Sequence, residues 1–277
     1  MPASDQPVNV ASVPQRSPFR YPGGKTWFVP EFRAWVGGLP VKPNLLIEPF
    51  AGGGIIGLTA AFEDLADRVL LVELDPDVAA VWQTLLSDDN DWLAETMLTF
   101  ELTHLNLEAA LEQAPASTRH RALATLLRNR VVHGGILAPG SGLIRTGENG
   151  KGLASRWYPE TLCRRIREIG RLRHRIDFRH ADAFDVLDEL AQRPDGAWFI
   201  DPPYHQAGRR LYTCHAIDHA ALFARASRLS GPFLMTYDNA DEIQALAAEH
   251  GLPTRLVPMK TTHHRQKPEL VIEGRAH

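Results

Sequence analysis

Four consecutive residues, Asp201-Pro202-Pro203-Tyr204, combine the groups best suited to chemistry in this chain. They follow Trp198-Phe199-Ile200, an apolar run with the pattern of a buried strand, so the strand ends on a carboxylate. Two prolines fix φ and remove two backbone N–H donors, which makes the exit from the strand stiff and leaves carbonyl oxygens unpaired. Tyr204 adds a flat ring beside the acid. An acid, free carbonyls and a ring together can accept the N–H groups of a planar amine while stacking on its ring. A nucleobase with an exocyclic NH₂ is the matching guest. The exit of a strand in an α/β sheet is also where such folds bind ligands.

A second set lies upstream. Asn44-Leu45-Leu46-Ile47-Glu48 reads as a buried strand running into Pro49-Phe50-Ala51-Gly52-Gly53-Gly54. Gly52, Gly54 and Gly57 match the G-x-G-x-x-G spacing, and Glu73 lies 21 residues beyond Gly52 at the end of the next strand-like run. Glycines there let the backbone approach a ligand, and an acid at that distance holds ribose hydroxyls. The pattern predicts an adenosine-containing cofactor and leaves NAD and S-adenosylmethionine both open. Gly24-Lys25-Thr26 imitates the end of a phosphate-binding loop. Phe19 stands where that loop needs glycine, which argues against a nucleoside triphosphatase.

These residues need a frame that holds them together. Strand-like runs occur at 44–48, 68–73, 178–180, 197–201, 232–237, 255–260 and 270–273. Helical patterns occur at 56–62, 77–86, 91–113, 117–132 and from Pro159 onward. In the last of these, Leu162, Ile166, Ile169 and Leu172 share one face, while Arg164, Arg167, Arg171 and Arg175 line another. The alternation predicts an α/β protein with a doubly wound, mainly parallel sheet. A mainly helical segment, 88–175, is inserted into it, carrying a glycine-dense stretch at 134–152. Residues 18–87 and 176–277 then form the main domain, and the Pro-, Ser- and Ala-rich residues 1–17 a disordered lead.

The 277 residues are 44% hydrophobic and 23% charged, ordinary values for a globular protein. No apolar stretch reaches the roughly 18–20 residues of a membrane span. The N-terminus lacks the charged-then-apolar layout of a secretory signal, so a cytoplasmic protein without membrane contact is expected. The two cysteines, Cys163 and Cys214, have no disulfide or metal spacing, no acid is spaced to complete a site with His263-His264, and no metal is expected. The net charge of −3 conceals a segregation. Residues 119–179 hold fourteen Lys/Arg against four acids, a balance of +10, and the rest of the chain carries −13. Such a segment predicts a face for a polyanion.

Taken in order, Phe19-Arg20-Tyr21-Pro22-Gly23-Gly24-Lys25, Glu48-Pro49-Phe50-Ala51-Gly52-Gly53-Gly54, Glu73 and Asp201-Pro202-Pro203-Tyr204 resemble the motifs of the DNA adenine methylase family. The resemblance spans nearly all of the chain from Phe19. It implies a Rossmann-like methyltransferase fold, with a target-recognition domain at the place of the basic insert. It implies S-adenosylmethionine as cofactor, DNA as partner, and a monomer that can work beside a companion restriction endonuclease. Tyr21, Lys25, Glu48, Phe50, Gly52, Gly54 and Asp201 would then contact the cofactor, Glu73 its ribose and Asp182 its adenine amino group. Asp201, Pro202, Pro203 and Tyr204 would receive a base flipped out of the duplex and help its amino nitrogen attack the methyl group in line.

Asn129-Arg130, preceded by Arg128, resembles a family pair at the DNA surface. The segment 136–157 does not resemble the family's recognition hairpin, so Arg145, Lys151, Arg156 and Trp157 are expected at the DNA by their place in the glycine-rich loop alone. An acid at position 201 also accommodates cytosine N4. An NAD-dependent oxidoreductase would leave residues 201–204 and the arginines without a role. A non-catalytic DNA-binding relative would leave the intact acid without one.

Overall fold

The computed structural model describes residues 12–20, 24–112, 114–138, 140–147, 150–203, 217–260 and 266–275. Tyr21, Tyr204, Cys214, His263 and His264 lie outside them. All seven expected strands form: β1 (Leu45–Glu48), β2 (Arg68–Glu73), β3 (Ile176–His180), β4 (Gly196–Ile200), β5 (Phe233–Asp238), β6 (Thr254–Lys260) and β7 (Gln266–Gly274). They make one sheet in the order β3-β2-β1-β4-β5-β7-β6. The first five strands run parallel, and β7 runs antiparallel to both of its neighbours. The α/β, doubly wound and mainly parallel class is the one expected. Between β1 and β4 the winding changes direction, and a crevice opens at the carboxyl ends of those strands.

The strands are buried on both faces because alternate side chains serve two clusters. Leu46, Leu71, Phe199 and Leu234 face α1 (Val29–Gly37), α2 (Ile55–Phe62) and α3 (Pro76–Leu85). The apolar faces of α4 (Asn90–Thr99), α5 (His104–Glu112), α6 (Thr118–Val131) and α7 (Pro159–Arg171) extend that cluster through Leu93, Leu126 and Ile166. Ile47, Trp198, Ile200 and Met235 face α8 (Ala183–Leu190), α9 (His219–Ala226) and α10 (Asp241–Glu249). In α7, Leu162, Ile166 and Ile169 are buried, as their spacing predicted. Among the described residues no helix is long and apolar enough to cross a membrane.

Two expectations change. Residues 12–17 belong to the fold rather than to a disordered lead. Val13 is buried in the core, and Arg16 pairs with Glu63 at 2.8 Å while its guanidinium lies over the Phe62 ring. Composition hides such anchors, because one valine and one arginine hold the segment. The single helix expected over 91–113 is two helices. Phe100 leaves helical geometry, and the Thr103 hydroxyl accepts a hydrogen bond from the Asn106 N–H, capping α5.

The glycine-rich turn after β1 is shaped by Trp82 of α3. Its ring is fully buried, and its Nε1–H donates to the Gly52 carbonyl at 2.9 Å. Gly54 takes φ of 61°, and a Cβ added there would stand 2.5 Å from the Trp82 ring. Gly54→Ala should therefore destabilise the fold by about 2–4 kcal/mol, combining a left-handed backbone with an overpacked contact. Urea unfolding checks it, and a midpoint like that of the parent protein would contradict the packing described.

Candidate active site

A cavity of about 660 Å³ occupies the crevice at the carboxyl ends of β1, β2 and β4. Its size falls in the roughly 300–1,000 Å³ range of ligand pockets. It gathers residues from distant parts of the sequence. Lys25 precedes α1; Glu48, Phe50, Gly52 and Gly54 follow or end β1; Glu73 ends β2; Asp182 starts α8; Asp201 and Pro203 follow β4. Phe184 and Ile217 add apolar surface.

Lys25 is the centre of its polar end. The ammonium is 3% exposed and lies 2.9 Å from Asp201 Oδ1 and 2.8 Å from Glu269 Oε1. The Thr236 hydroxyl donates to the same Asp201 oxygen at 2.8 Å. The Thr236 hydroxyl and the nearest approach of Lys25 thus meet at Oδ1, on a side chain that lines the cavity. Glu48 sits beneath this end. Its Oε2 accepts from the Gly57 N–H at 2.7 Å, and a Cβ at Gly57 would come within 2.8 Å of that oxygen. Burial, aided by the nearby Asp201 charge, pushes the Glu48 carboxyl well above the carboxylate range. Through that bond it holds the start of α2.

Glu73 joins two loops. Its Oε2 accepts from the Gly52 N–H and its Oε1 from the Leu74 and Asp75 N–H groups, all at 2.9 Å. Oε2, with one donor, keeps a lone pair for a hydroxyl. Burial pushes this carboxyl up to about 7, against the downward pull of the three N–H groups. Asp182 combines both readings open to a strand-end acid: its Oδ1 caps α8 by accepting from the Phe184 N–H at 2.8 Å, and it lines the cavity.

The residues assigned to DNA divide. Asn129 and Arg130 are not at the surface. Asn129 is fully buried; its Oδ1 accepts from the Arg20 N–H, and its Nδ2 donates to the carbonyls of Arg20 and Gly135, each at 2.8 Å. Arg130 donates to the Pro18 carbonyl, and burial together with the Arg165 and Arg20 charges pushes its guanidinium down to about 9. Both residues tie the 17–20 segment, which borders the cavity, to α6. Trp157 packs edge-on against Phe100, with ring centroids 6.0 Å apart. Arg128 and Arg156 are half-buried, whereas Arg145 and Lys151 are exposed. Their segment folds back on the end of α6: Val132 bridges Leu143, and the Ile144 N–H donates to the Val131 carbonyl at 2.8 Å.

The arginines of α7 and of the turn after it are offset by acids from other helices and loops. Arg167 pairs with Glu95 at 2.9 Å, Arg173 with Asp88 at 2.7 Å, and Arg175 with Asp64. Arg164 pairs along its own helix with Glu168. The sequence segregation of charge is thus partly undone in space.

Sequence reasoning passed over Trp82, Thr236 and Glu269. The only signal for Glu269 was an acid at the head of an apolar strand, directly after Pro268.

No protein-family model matches the chain, and no curated protein does. Solved structures with a similar course include an rRNA methyltransferase from Streptomyces viridochromogenes, at 16% identity and a TM-score of 0.44, covering 99% of this chain and 93% of that one. Another is a precorrin-6y C5,15-methyltransferase from Geobacter metallireducens, at 10% identity and a TM-score of 0.38, covering 89% and 87%. What this chain binds is therefore read from its own residues.

The raised Glu73 carboxyl has a consequence for stability. Between the ordinary glutamate value near 4.5 and about 7, the folded protein holds a proton that the unfolded chain has lost. Stability from this group is present at low pH and declines as pH rises through that window. Glu73→Gln should reduce the decline, with Glu48 still contributing in the same direction. Unfolding free energies at pH 5 and pH 8 measure it; an unchanged difference in the variant would remove Glu73 as a source.

Proposed function

We propose that this protein is an S-adenosylmethionine-dependent DNA methyltransferase that methylates the N6 amino group of adenine. The observation that carries the proposal is the Asp201 carboxylate at a strand end before Pro202-Pro203, lining the cavity with Oδ1 held by Thr236 and Lys25. The cavity residues fit the cofactor. Gly52, Gly53 and Gly54 line it with backbone that a ligand can approach closely, Glu73 offers an acceptor for a ribose hydroxyl, and Asp182 one for an adenine amine. Phe50 and Phe184 supply apolar surface for the heterocycle. When bound, the cofactor supplies an electrophilic methyl group on a sulfonium. Asp201 and Glu269 both lie against the Lys25 ammonium at this end.

Adenine N6 is a weak nucleophile because its lone pair is delocalised into the ring. Asp201 Oδ2 and the Pro202 carbonyl accept its two N–H bonds, which draws the nitrogen toward tetrahedral geometry and localises that pair. The amine becomes an acidic ammonium on methylation, so its proton can leave without a strong base. Positioning and electrostatics supply the rate. Tyr204 stacks on the flipped base and offsets part of the unstacking cost. In this reading residues 88–175 form the target-recognition region, and the protein acts as a monomer. The family resemblance of the ordered motifs favours adenine; cytosine N4 meets the same acceptor.

Asp201→Ala should bind S-adenosylmethionine within a few-fold of the parent and lose single-turnover methyl transfer by about 1,000-fold. Near-normal transfer in that variant sinks the assignment, and preferential binding of NAD in calorimetry would turn the reading to an oxidoreductase.

For DNA, the exposed Arg145 and the paired Arg167 separate two roles. Arg145→Ala should cost about 1–3 kcal/mol on the preferred duplex and little on a scrambled one. Arg167→Ala, which breaks an exposed pair with Glu95, should leave DNA affinity within about twofold. Binding isotherms on both duplexes decide, and equal losses in the two variants would place the reading element elsewhere.

A further inference from the structure

One oxygen of Asp201 takes the Thr236 hydroxyl and also the nearest approach of Lys25. A lysine beside a lone buried carboxylate is free to move over both of its oxygens, because the ammonium is a compact charge with rotatable donors. Here Glu269, on β7 and itself 2% exposed, also holds the ammonium, at 2.8 Å, while its nearest Asp201 oxygen is Oδ1 at 2.9 Å. Thr236, on β5 and fully buried, donates to that same oxygen, which fixes the rotation of the carboxyl group. Both residues come from the antiparallel end of the sheet, where β7 pairs with β5 and sets Val271 opposite Thr236 and Glu269 opposite Asp238.

We propose that Thr236 and Glu269 are positioning residues: they hold Lys25 and the Asp201 carboxyl so that one oxygen is engaged inside and the other faces the amine to be methylated. The proposal rests on the reading of Asp201 as the amine acceptor. Without Thr236 the carboxyl can rotate and present the Lys25-bound oxygen to the cavity. Without the Glu269 charge the ammonium moves onto both Asp201 oxygens and lowers their capacity to accept from a weakly acidic N–H. The two residues touch neither substrate nor cofactor in this scheme; they act through Lys25 and Asp201.

Three substitutions distinguish this from simple packing. Thr236→Val keeps the shape and loses the hydroxyl, while Thr236→Ser keeps the hydroxyl and loses a methyl. Single-turnover transfer of a labelled methyl group should fall about 10- to 100-fold in Thr236→Val, the range for a hydrogen bond to a charged group. Thr236→Ser should restore most of it, with cofactor affinity within a few-fold in both. Glu269→Gln should fall similarly at near-constant cofactor affinity. A serine variant as slow as the valine variant, or a valine variant as fast as the parent, overturns the proposal. If the parent protein transfers no methyl group at all, the functional reading fails on its own. The positioning then stands or falls on the ¹³C carboxyl resonance of Asp201, which should move in Thr236→Val and Glu269→Gln and stay in place in Thr236→Ser. An unmoved resonance in all three refutes it.

Discussion

A buried ammonium cannot stand alone in a protein interior, and at Lys25 it is matched by carboxylates from the parallel and the antiparallel parts of the sheet. Asp201 arrives from the end of β4, Glu269 from the antiparallel β7, and Lys25 from the turn before α1. Folding must bring residues 25, 201 and 269 together to form these pairs. The cost of leaving one unpaired ties the N-terminal segment to the carboxyl edge of the sheet. That same edge is the crevice at which β1 and β4 part. The ion cluster is thus both a fastening and the polar end of the cavity.

A second layer keeps the rest of the cavity in shape. Trp82 presses on Gly54 and holds the Gly52 carbonyl, while Glu73 holds the Gly52 N–H from the other side. One turn is gripped at both its donor and its acceptor. Along another wall, Asn129 and Arg130 bind the backbone of residues 18 and 20, and a Cβ at Gly135 would come within 2.3 Å of the Arg20 carbonyl. A side chain there would push the segment away from α6. Helices α4 to α7 are therefore joined to the cavity by backbone contacts as well as by a shared apolar cluster.

Where burial repeats with a period, the sequence was legible. All seven strands and the faces of α7 follow from apolar patterning, and the acids at 48, 73 and 201 were visible because each closes an apolar run. Less legible were partnerships across the chain. Nothing local distinguishes an Asn129 that staples a distant backbone from one that meets a ligand, and the same holds for Arg130. The arginines of α7 and of the turn after it looked like a cationic face because their acidic partners at 64, 88 and 95 are remote in sequence. Glu269 and Thr236 were hidden for the same reason: their meaning lies in Lys25 and Asp201.

The identity of the methylated atom bears most directly on the role given to the Asp201 carboxylate. DNA incubated with the full chain and S-adenosylmethionine carrying a deuterated methyl group can be digested to nucleosides and read by mass spectrometry. An open acceptor oxygen facing an exocyclic amine should yield labelled N6-methyl-deoxyadenosine. Label on a ring carbon or a ring nitrogen, with none on an amino group, would contradict it.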